Sequence, residues 1–362
     1  MMKFYSLKKI LSKNAQYNII IGERSNGKTY ASLKYALEQY LKTGKQFAYM
    51  RRWQEDVKGK RAKQLFASLE SDGTIAKLTN GEFQTIEFWI GKFYLARIDG
   101  QLNKPVREEK PIGFAFSLTE MEHDKSISYP DITTIIFDEF ITRKLYLPDE
   151  FVTFMNSLST IIRHRNDVKI FMLANTVNKY SPYFKEMGLS KIQEMKQGTI
   201  DIYRYGKSDL KVAVEYCSES NKQLKPSDIY FAFDNPKLEM IKGGKWELDL
   251  YPHLPVKYKP KDIILTYFIS FDDNLIQAEI IDNGKEVFTY VHRKTTPIKN
   301  IYDIVFSFEN SGMLNHITNI TRPFNKLTKT IWQFFKMEKV FYQDNELGEI
   351  VRNYIVQCGK LL

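Results

Sequence analysis

The chain has 362 residues, which favours two domains over one, and its 43% hydrophobic and 27% charged residues are typical of globular proteins and exclude wholesale disorder. No apolar run approaches the roughly 18 residues that a membrane-spanning helix needs, so no membrane partner is expected. The formal net charge of +10 favours a polyanionic partner, with nucleic acid first, and two cysteines without metal-ligand spacing suit a reducing cytoplasm rather than a disulfide scaffold.

Short β-branched runs alternate with helical patterns from about residue 17 to residue 189. This alternation predicts an α/β domain with a mainly parallel sheet and flanking helices. A hairpin is predicted over 85–97, inserted before the third core strand. The core strands are predicted at 18–21, 46–50, 133–137 and 169–173, with a helix over 30–41.

After residue 190 the sequence pattern changes twice, first over 191–250 and again after a proline-rich connector. Residues 191–250 contain strand-like runs at 199–204 and 210–216 and are predicted to form a small linker or lid subdomain. A proline-rich connector follows, and then an antiparallel meander over 263–292 with helical patterns near 324–337 and 346–356. The predicted domains are therefore 1–190, 191–250 and 251–362, the last a smaller α+β domain.

A phosphate-binding motif follows the first predicted strand at once. It reads Gly22-Glu23-Arg24-Ser25-Asn26-Gly27-Lys28-Thr29, which matches G-x-x-x-x-G-K-[ST], and a helical pattern comes next. Its glycines let backbone N–H groups wrap around phosphates, and the helix N-terminus adds its positive dipole. Lys28 is expected to contact the β- and γ-phosphates, and Thr29 to hold Mg²⁺ through its hydroxyl. The motif thus predicts a site for ATP with Mg²⁺.

Two adjacent carboxylates, Asp138 and Glu139, end the strand predicted at 133–137. Acids commonly end strands as turn residues, but with the phosphate loop upstream the pair reads as a Walker B motif. Asp138 is then expected to support Mg²⁺ and Glu139 to polarise the attacking water. The long separation of the two motifs suits an NTPase whose sheet has an additional strand between the two motif strands.

Further polar residues lie at the ends of the next two elements. Arg163-His164-Arg165 ends a helical pattern that runs from Glu150, and it reads either as a solvated helix end or as an arginine finger for a neighbouring subunit. Asn175 follows the strand at 169–173, where it could sense the γ-phosphate or simply form a turn.

A basic cluster after the second strand gives a weaker signal. Its cations could face a DNA backbone through sequence-blind phosphate contacts, or they could form a solvated helix face. The cluster comprises Lys58, Lys60, Arg61 and Lys63. The five histidines lack metal-ligand spacing, so no metal other than Mg²⁺ is predicted.

Taken together, several strings resemble the DNA packaging ATPases of small phi-29-type tailed phages, which are terminase-like P-loop motors of the ASCE type. The likeness is good over about residues 1–190 and faint beyond them. The strings are Ala-Tyr-Met-Arg-Arg at 48–52, Lys-Ser-Ile-Ser-Tyr-Pro at 125–130, Ile-Ile-Phe-Asp-Glu-Phe at 135–140, Arg-His-Arg at 163–165 and Leu-Ala-Asn at 173–175.

The resemblance implies a homo-oligomeric ring, expected to be a pentamer, with double-stranded DNA in its pore. The ring would sit at the portal of a preformed capsid in the host cytoplasm, docked directly or through a packaging RNA. The resemblance further implies that Arg163 and Lys125 reach the nucleotide of the neighbouring subunit, with Arg165 in the same interface.

The resemblance also implies that the C-terminal domain is a vestigial RNase H-like nuclease that serves for docking. The residues agree, because such a nuclease needs carboxylates on its first strand to bind two metals, and residues 263–270 contain no acid. Asp272 and Asp273 fall in the following turn. Two alternatives remain open, a full terminase that also cuts DNA and an assembly protein that binds ATP without turnover, although a pure binder does not need Glu139.

Overall fold

The structure is a computed structural model. It describes residues 5–99, 104–121, 127–142, 146–147, 149–176, 181–206, 208–218, 251–254, 256–272, 274–298, 302–308 and 312–360. The chain divides into two compact units, Met1–Glu247 and Leu248–Leu362. In the described part of the chain, no helix is long and apolar enough to cross a membrane.

The described residues of the first unit form one ten-stranded sheet with short helices around two longer ones. The helices are α1 (Lys8–Leu11), α2 (Lys28–Thr43), α3 (Gly59–Lys63), α4 (Ala67–Ser71), α5 (Thr74–Leu78), α6 (Glu150–Ile162) and α7 (Pro182–Glu186). The strands are β1 (Tyr17–Gly22), β2 (Gln46–Arg51), β3 (Thr85–Trp89), β4 (Lys92–Asp99), β5 (Lys104–Arg107), β6 (Gly113–Ser117), β7 (Ile132–Asp138), β8 (Lys169–Asn175), β9 (Ile200–Arg204) and β10 (Lys211–Tyr216).

The strand order is β3-β4-β6-β2-β7-β8-β1-β10-β9, with β5 paired to β4. All pairs from β6 to β10 along this order are parallel, and the antiparallel pairs lie at the two edges. The predicted parallel α/β sheet is therefore confirmed. So is the additional strand between the motif strands, because β8 lies between β1 and β7.

The central strands are apolar on both faces because both faces of the sheet are covered. One face packs against α2 through Leu33 and Leu37, and the other against α6 through Phe154 and Leu158. These two layers leave the carboxyl ends of β1, β2, β7 and β8 at one edge of the sheet, where loops of an α/β domain hold ligands.

The sheet differs from the sequence predictions at β5 and β6, which were not predicted, and in the placement of β9 and β10. β10 pairs in parallel with β1, so residues 200–216 extend the main sheet and the prediction of a separate subdomain from 191 is wrong for them; residues 219–250 lie outside the described residues. β6 was not predicted, since it is short and its first residue is Gly113. A Cβ there would meet the Phe47 ring at 2.4 Å, so only glycine permits this strand to pack.

The second unit has a six-stranded sheet in its described residues, of order β15-β14-β11-β12-β13-β16. Its strands are β11 (Ile263–Phe271), β12 (Asn274–Asp282), β13 (Val287–Arg293), β14 (Val305–Ser307), β15 (His316–Ile317) and β16 (Val340–Tyr342), and its helices are α8 (Lys326–Lys336) and α9 (Asn345–Lys360). The antiparallel meander β11-β12-β13 is confirmed, and β14 adds in parallel to β11. The predicted smaller α+β domain is therefore confirmed for the described residues.

Candidate active site

The loop between β1 and α2 has the geometry of a phosphate-binding loop. Gly27 has φ 92°, a left-handed conformation that glycine adopts without strain, and Lys28 begins α2 directly after it. The close packing of Gly22 also requires glycine, since a Cβ there would lie 2.7 Å from the Cβ of Cys217, the residue after β10. Gly27 is therefore required by its backbone conformation, and Gly22 by its close packing.

Lys28 is buried in the centre of this loop. Its Nζ donates to the carbonyl of Glu23 at 2.7 Å and to that of Gly22 at 3.2 Å, and it also contacts Oδ1 of Asn26 at 3.2 Å and Oδ1 of Asn175 at 3.3 Å. Burial lowers the pKa of Lys28 from its ordinary range, and the nearby Cys217, Asp138 and Glu23 only partly offset it. A bound phosphate would supply the counter-charge that this ammonium lacks.

The residues predicted to hold Mg²⁺ lie side by side. The Thr29 hydroxyl donates to Oδ2 of Asp138 at 2.9 Å, and the Tyr49 hydroxyl donates to the same oxygen at 3.1 Å. Hydroxyl and carboxylate oxygens are the hard ligands that Mg²⁺ prefers, so this donor pair fits the ion. Within the described ranges no group of three or more His, Cys, Asp or Glu could hold a metal, so the ion would need phosphate oxygens and water as its other ligands.

Glu139 follows Asp138 at the same edge, and its carboxylate is paired. Arg51, the last residue of β2, donates from Nη2 to Oε2 of Glu139 at 2.6 Å, and the same nitrogen lies 3.5 Å from Oδ2 of Asp56. Burial alone would lower the pKa of Arg51. Its neighbours Tyr49 and Glu139 favour the charged guanidinium more strongly, so the pKa of Arg51 is raised. The Glu139 side chain is 56% exposed, so water can solvate its carboxylate when the arginine moves away.

Arg51 is a site residue that sequence reasoning missed. It lies in the string 48–52 that carries the family resemblance, and its other signal is positional, because it ends a parallel strand at the edge where the motif strands also end. Since basic residues follow many strands simply because the chain returns to solvent there, this position alone does not indicate a role. The pairing of β2 with β7 was needed to bring Arg51 to Glu139.

Arg163 lies at the C-terminal end of α6 and is exposed. Its backbone has φ 52° and ψ −123°, a conformation that costs a non-glycine residue about 1–3 kcal/mol. The guanidinium donates one hydrogen bond, from Nη2 to the Ile127 carbonyl at 3.0 Å. A strained turn thus presents this arginine at the surface, and it does not line the cavity that contains Lys28.

Arg165 has a different environment from Arg163. Its guanidinium donates within the subunit to backbone carbonyls, of which Ile132 at 2.7 Å and Ile161 at 3.0 Å are the nearest. This arginine joins the end of α6 to the start of β7, and its role across a subunit interface stays a prediction. Lys125, predicted for the same interface, lies outside the described residues.

Two residues of the basic cluster are paired with acids. Lys58 lies 3.0 Å from Glu120, and Arg61 forms an ion pair with Asp56. Lys60 and Lys63 are exposed on α3. DNA contact by the four cations stays a prediction.

One cavity of about 1580 Å³ encloses the site. This exceeds the roughly 300–1,000 Å³ of common ligand pockets, which leaves space beside a nucleotide for water or for a side chain from outside. Its walls include the loop from Arg24 to Thr29, the residues Arg51, Asp138, Glu139 and Asn175, and the α3–α4 residues Arg61, Gln64, Ser68 and Asp72. The cavity therefore brings together the predicted phosphate, metal and water-activating residues.

The chain is similar in sequence to viral DNA packaging proteins. The DNA packaging proteins of Bacillus phage phi29 and Bacillus phage B103 are 32% identical over 192 residues and 33% identical over 184 residues, each alignment covering 50% of this chain. These alignments cover 49% and 50% of the relatives, so the chain spans about half the length of the curated relatives it matches. A chain of the solved Phi-28 gp11 DNA packaging motor shares the fold, with a TM-score of 0.55, 18% identity and 99% of both chains covered.

The family model described as podovirus DNA encapsidation protein (Gp16) matches residues 1–225, which is more than half of the chain. This match includes both motif strands, the phosphate-binding loop, Glu139 and Arg163. The protein belongs to the podovirus DNA encapsidation protein (Gp16) family.

Proposed function

We propose that this protein hydrolyses ATP to drive double-stranded viral DNA into a preformed capsid. The observation that carries the proposal is the meeting of Lys28, the Thr29–Asp138 pair and Glu139 in one cavity. Family membership supports the DNA substrate, because the relatives from phages phi29 and B103 are DNA packaging proteins.

In the proposed reaction the loop amides and Lys28 bind the β- and γ-phosphates. Thr29 and Asp138 hold Mg²⁺, which neutralises phosphate charge when bound. Glu139 accepts a proton from water as the water oxygen attacks the γ-phosphorus and the bond to the β-bridging oxygen breaks, yielding ADP and phosphate. Arg51 must release Glu139 before that step, because a carboxylate held by an arginine at 2.6 Å is a weak base.

Arg163 is proposed to act on the nucleotide of the next subunit in a homo-oligomeric ring, expected to be a pentamer. Its exposure and its strained backbone support this role, since strain at a surface position is commonly kept for function. The ring is proposed to work in the host cytoplasm, at the portal of the capsid, with or without a packaging RNA. The positive charge of the chain and of α3 favours contact with the DNA backbone.

The test is steady-state phosphate release with Mg·ATP, with and without long double-stranded DNA. Wild type, Lys28→Ala and Glu139→Gln are compared, with Lys9→Ala, a change at an exposed residue of α1, as the matched control. We expect DNA to raise a turnover that the control keeps and that both site variants lose by about 100-fold or more. Nucleotide binding without turnover in the presence of DNA and portal would support the assembly-protein alternative instead.

DNA cleavage is measured in the same samples with Mg²⁺ or Mn²⁺. The proposal expects none, because β11 carries no carboxylate for a nuclease metal pair. Nicking that persists in Lys28→Ala would favour the full terminase.

A further inference from the structure

Arg52, the residue after Arg51, makes a buried two-point ion pair with Glu150 at the start of α6. Its Nε donates to Oε2 of Glu150 at 2.7 Å, and its Nη2 donates to Oε1 at 2.8 Å. The side chains are 6% and 1% exposed. Burial alone would lower the pKa of Arg52. The hydrogen bonds and the negative charge of Glu150 have a larger effect in the other direction, so the pKa of Arg52 is raised.

The remaining bonding capacity of Glu150 is also used. Oε2 accepts from the backbone N–H of Leu147 at 2.7 Å, and Oε1 accepts from the hydroxyl of Tyr183 in α7 at 2.8 Å. The ring of Tyr146 lies 4.9 Å from the Arg52 guanidinium. Since well-packed apolar residues often stabilise a fold as well as a buried ion pair does, stability alone does not account for this arrangement.

The pair holds the backbone next to Glu139. Arg52 donates from Nη2 to the Phe140 carbonyl at 2.7 Å and approaches the Glu139 carbonyl with Nη1 at 3.4 Å. Glu139 itself has φ 56°, a left-handed conformation that needs support in a non-glycine residue. Arg51 thus binds the side chain of Glu139, and Arg52 binds the peptide carbonyls that orient it.

The same pair holds the first turn of α6. This helix has 13 residues, roughly 20 Å of rigid rod, and its far end is the strained turn at Arg163. A shift of the carbonyls at 139–140 would pull on Glu150 through Arg52 and so move the helix that presents Arg163.

We propose that Arg52 and Glu150 are positioning residues that orient Glu139 and couple its state to the Arg163 turn, so that a nucleotide in one subunit adjusts the arginine offered to the next. This inference rests on the proposed function, because it assigns Glu139 and Arg163 their roles in hydrolysis.

The first test uses turnover. Arg52→Lys keeps the charge but loses the two-point contact, and we expect its kcat to fall about tenfold or more while KM for ATP stays within about twofold. The matched control is Lys45→Gln, which removes an exposed ion pair with Asp131 at the opposite end of β2 and should leave both constants unchanged. A wild-type kcat in Arg52→Lys would overturn the proposal.

The second test does not depend on turnover. Amide hydrogen exchange of residues 159–165 is measured with and without ATPγS and Mg²⁺. We expect nucleotide to slow this exchange about fivefold or more in the wild type and not in Arg52→Lys, while exchange of the phosphate-binding loop slows in both proteins.

A double variant distinguishes loss of the coupling from loss of the folded state. Arg52→Met with Glu150→Leu replaces the pair by apolar side chains but leaves the Tyr183 hydroxyl, the Leu147 N–H and the Phe140 carbonyl without these partners, so its thermal midpoint should fall. Measured below that midpoint, the variant should keep nucleotide affinity yet lose the response at 159–165. A wild-type response in this variant, or none in the wild type, would overturn the coupling. Absent phosphate release in the wild type would defeat the proposed function and leave the exchange result valid.

Discussion

At the residue scale, the site depends on a few polar side chains held at short distances by their own subunit. Lys28 bonds to loop carbonyls and to Asn175, Thr29 bonds to Asp138, and Arg51 bonds to Glu139. Each of these groups is charged or strongly polar and lies at the carboxyl edge of the sheet, and among them Lys28 has a lowered pKa, so its ionisation should be visible in nucleotide binding.

The first prediction concerns Lys28 and pH. Burial lowers its pKa below the ordinary value near 10.5, and only the charged ammonium attracts phosphate. The affinity for ADP without Mg²⁺ should therefore weaken as pH rises through the lowered pKa, earlier than an exposed lysine would cause. Calorimetry from pH 7 to about pH 10 measures this.

Lys28→Arg is the control for that titration. Arginine stays charged over the whole range, so the variant should bind more weakly but lose the alkaline decline. An equal decline in both proteins would show that another group causes it.

At the scale of elements, α6 connects two parts of the proposed mechanism. It begins at the buried Glu150 and ends at Arg163, whose φ of 52° and ψ of −123° are natural for glycine alone. Arg165 then connects the helix end to β7 through backbone carbonyls.

The second prediction separates stability from function at this turn. Arg163→Gly relieves the backbone strain and should raise the free energy of unfolding by about 1 kcal/mol after the added chain entropy of glycine. It should nevertheless abolish the phosphate release of the assembled protein. Denaturant titration and phosphate release on the same sample measure both effects.

Arg163→Ala is the matched variant, because it removes the guanidinium but keeps the strain. It should lose phosphate release with little change in stability. Normal turnover in either variant would contradict the trans-acting role of Arg163. An unchanged free energy of unfolding in Arg163→Gly would contradict the claim that the backbone at this position is strained.

At the scale of the whole molecule, each of the two units has its own sheet and its own buried cysteine. Cys217 lies beside the phosphate-binding loop in the first unit, and Cys358 lies in α9 of the second. Burial, with help from Glu215, raises the pKa of Cys217 to about 12, and burial also raises that of Cys358. Both thiols should therefore react only when their unit opens.

The third prediction uses these thiols as reporters of each unit. Mg·ATPγS at about 100 times its dissociation constant should raise, by about 2.7 kcal/mol, the free energy of the unfolding that exposes Cys217 to the label. Labelling of Cys358 should not change, because the ligand binds the first unit. Mass spectrometry of labelled peptides along a urea gradient distinguishes the two sites.

Lys28→Ala should remove the protection of Cys217 and serves as the control. A common shift of both cysteines would mean that the two units unfold as one cooperative body.

Local sequence determined the motif residues and most of the elements around them. The loop from Gly22 to Thr29 and the Asp138–Glu139 pair were predictable because their chemistry depends on neighbours in the chain and on one strand–loop–helix step. The core strands β1, β2, β7 and β8 were predictable because strands buried on both faces are continuously apolar.

Tertiary structure decided which distant residues meet. Strand pairing put β10 beside β1 and brought Arg51 to Glu139 and Arg52 to Glu150, while Arg165 turned inward although it lies two residues from the exposed Arg163. No local pattern distinguishes these arginines, because each sits in a similar basic string. Their proposed roles follow from the carboxylates and carbonyls that folding places within hydrogen-bond distance, and the partners that join separate elements lie tens of residues away along the chain.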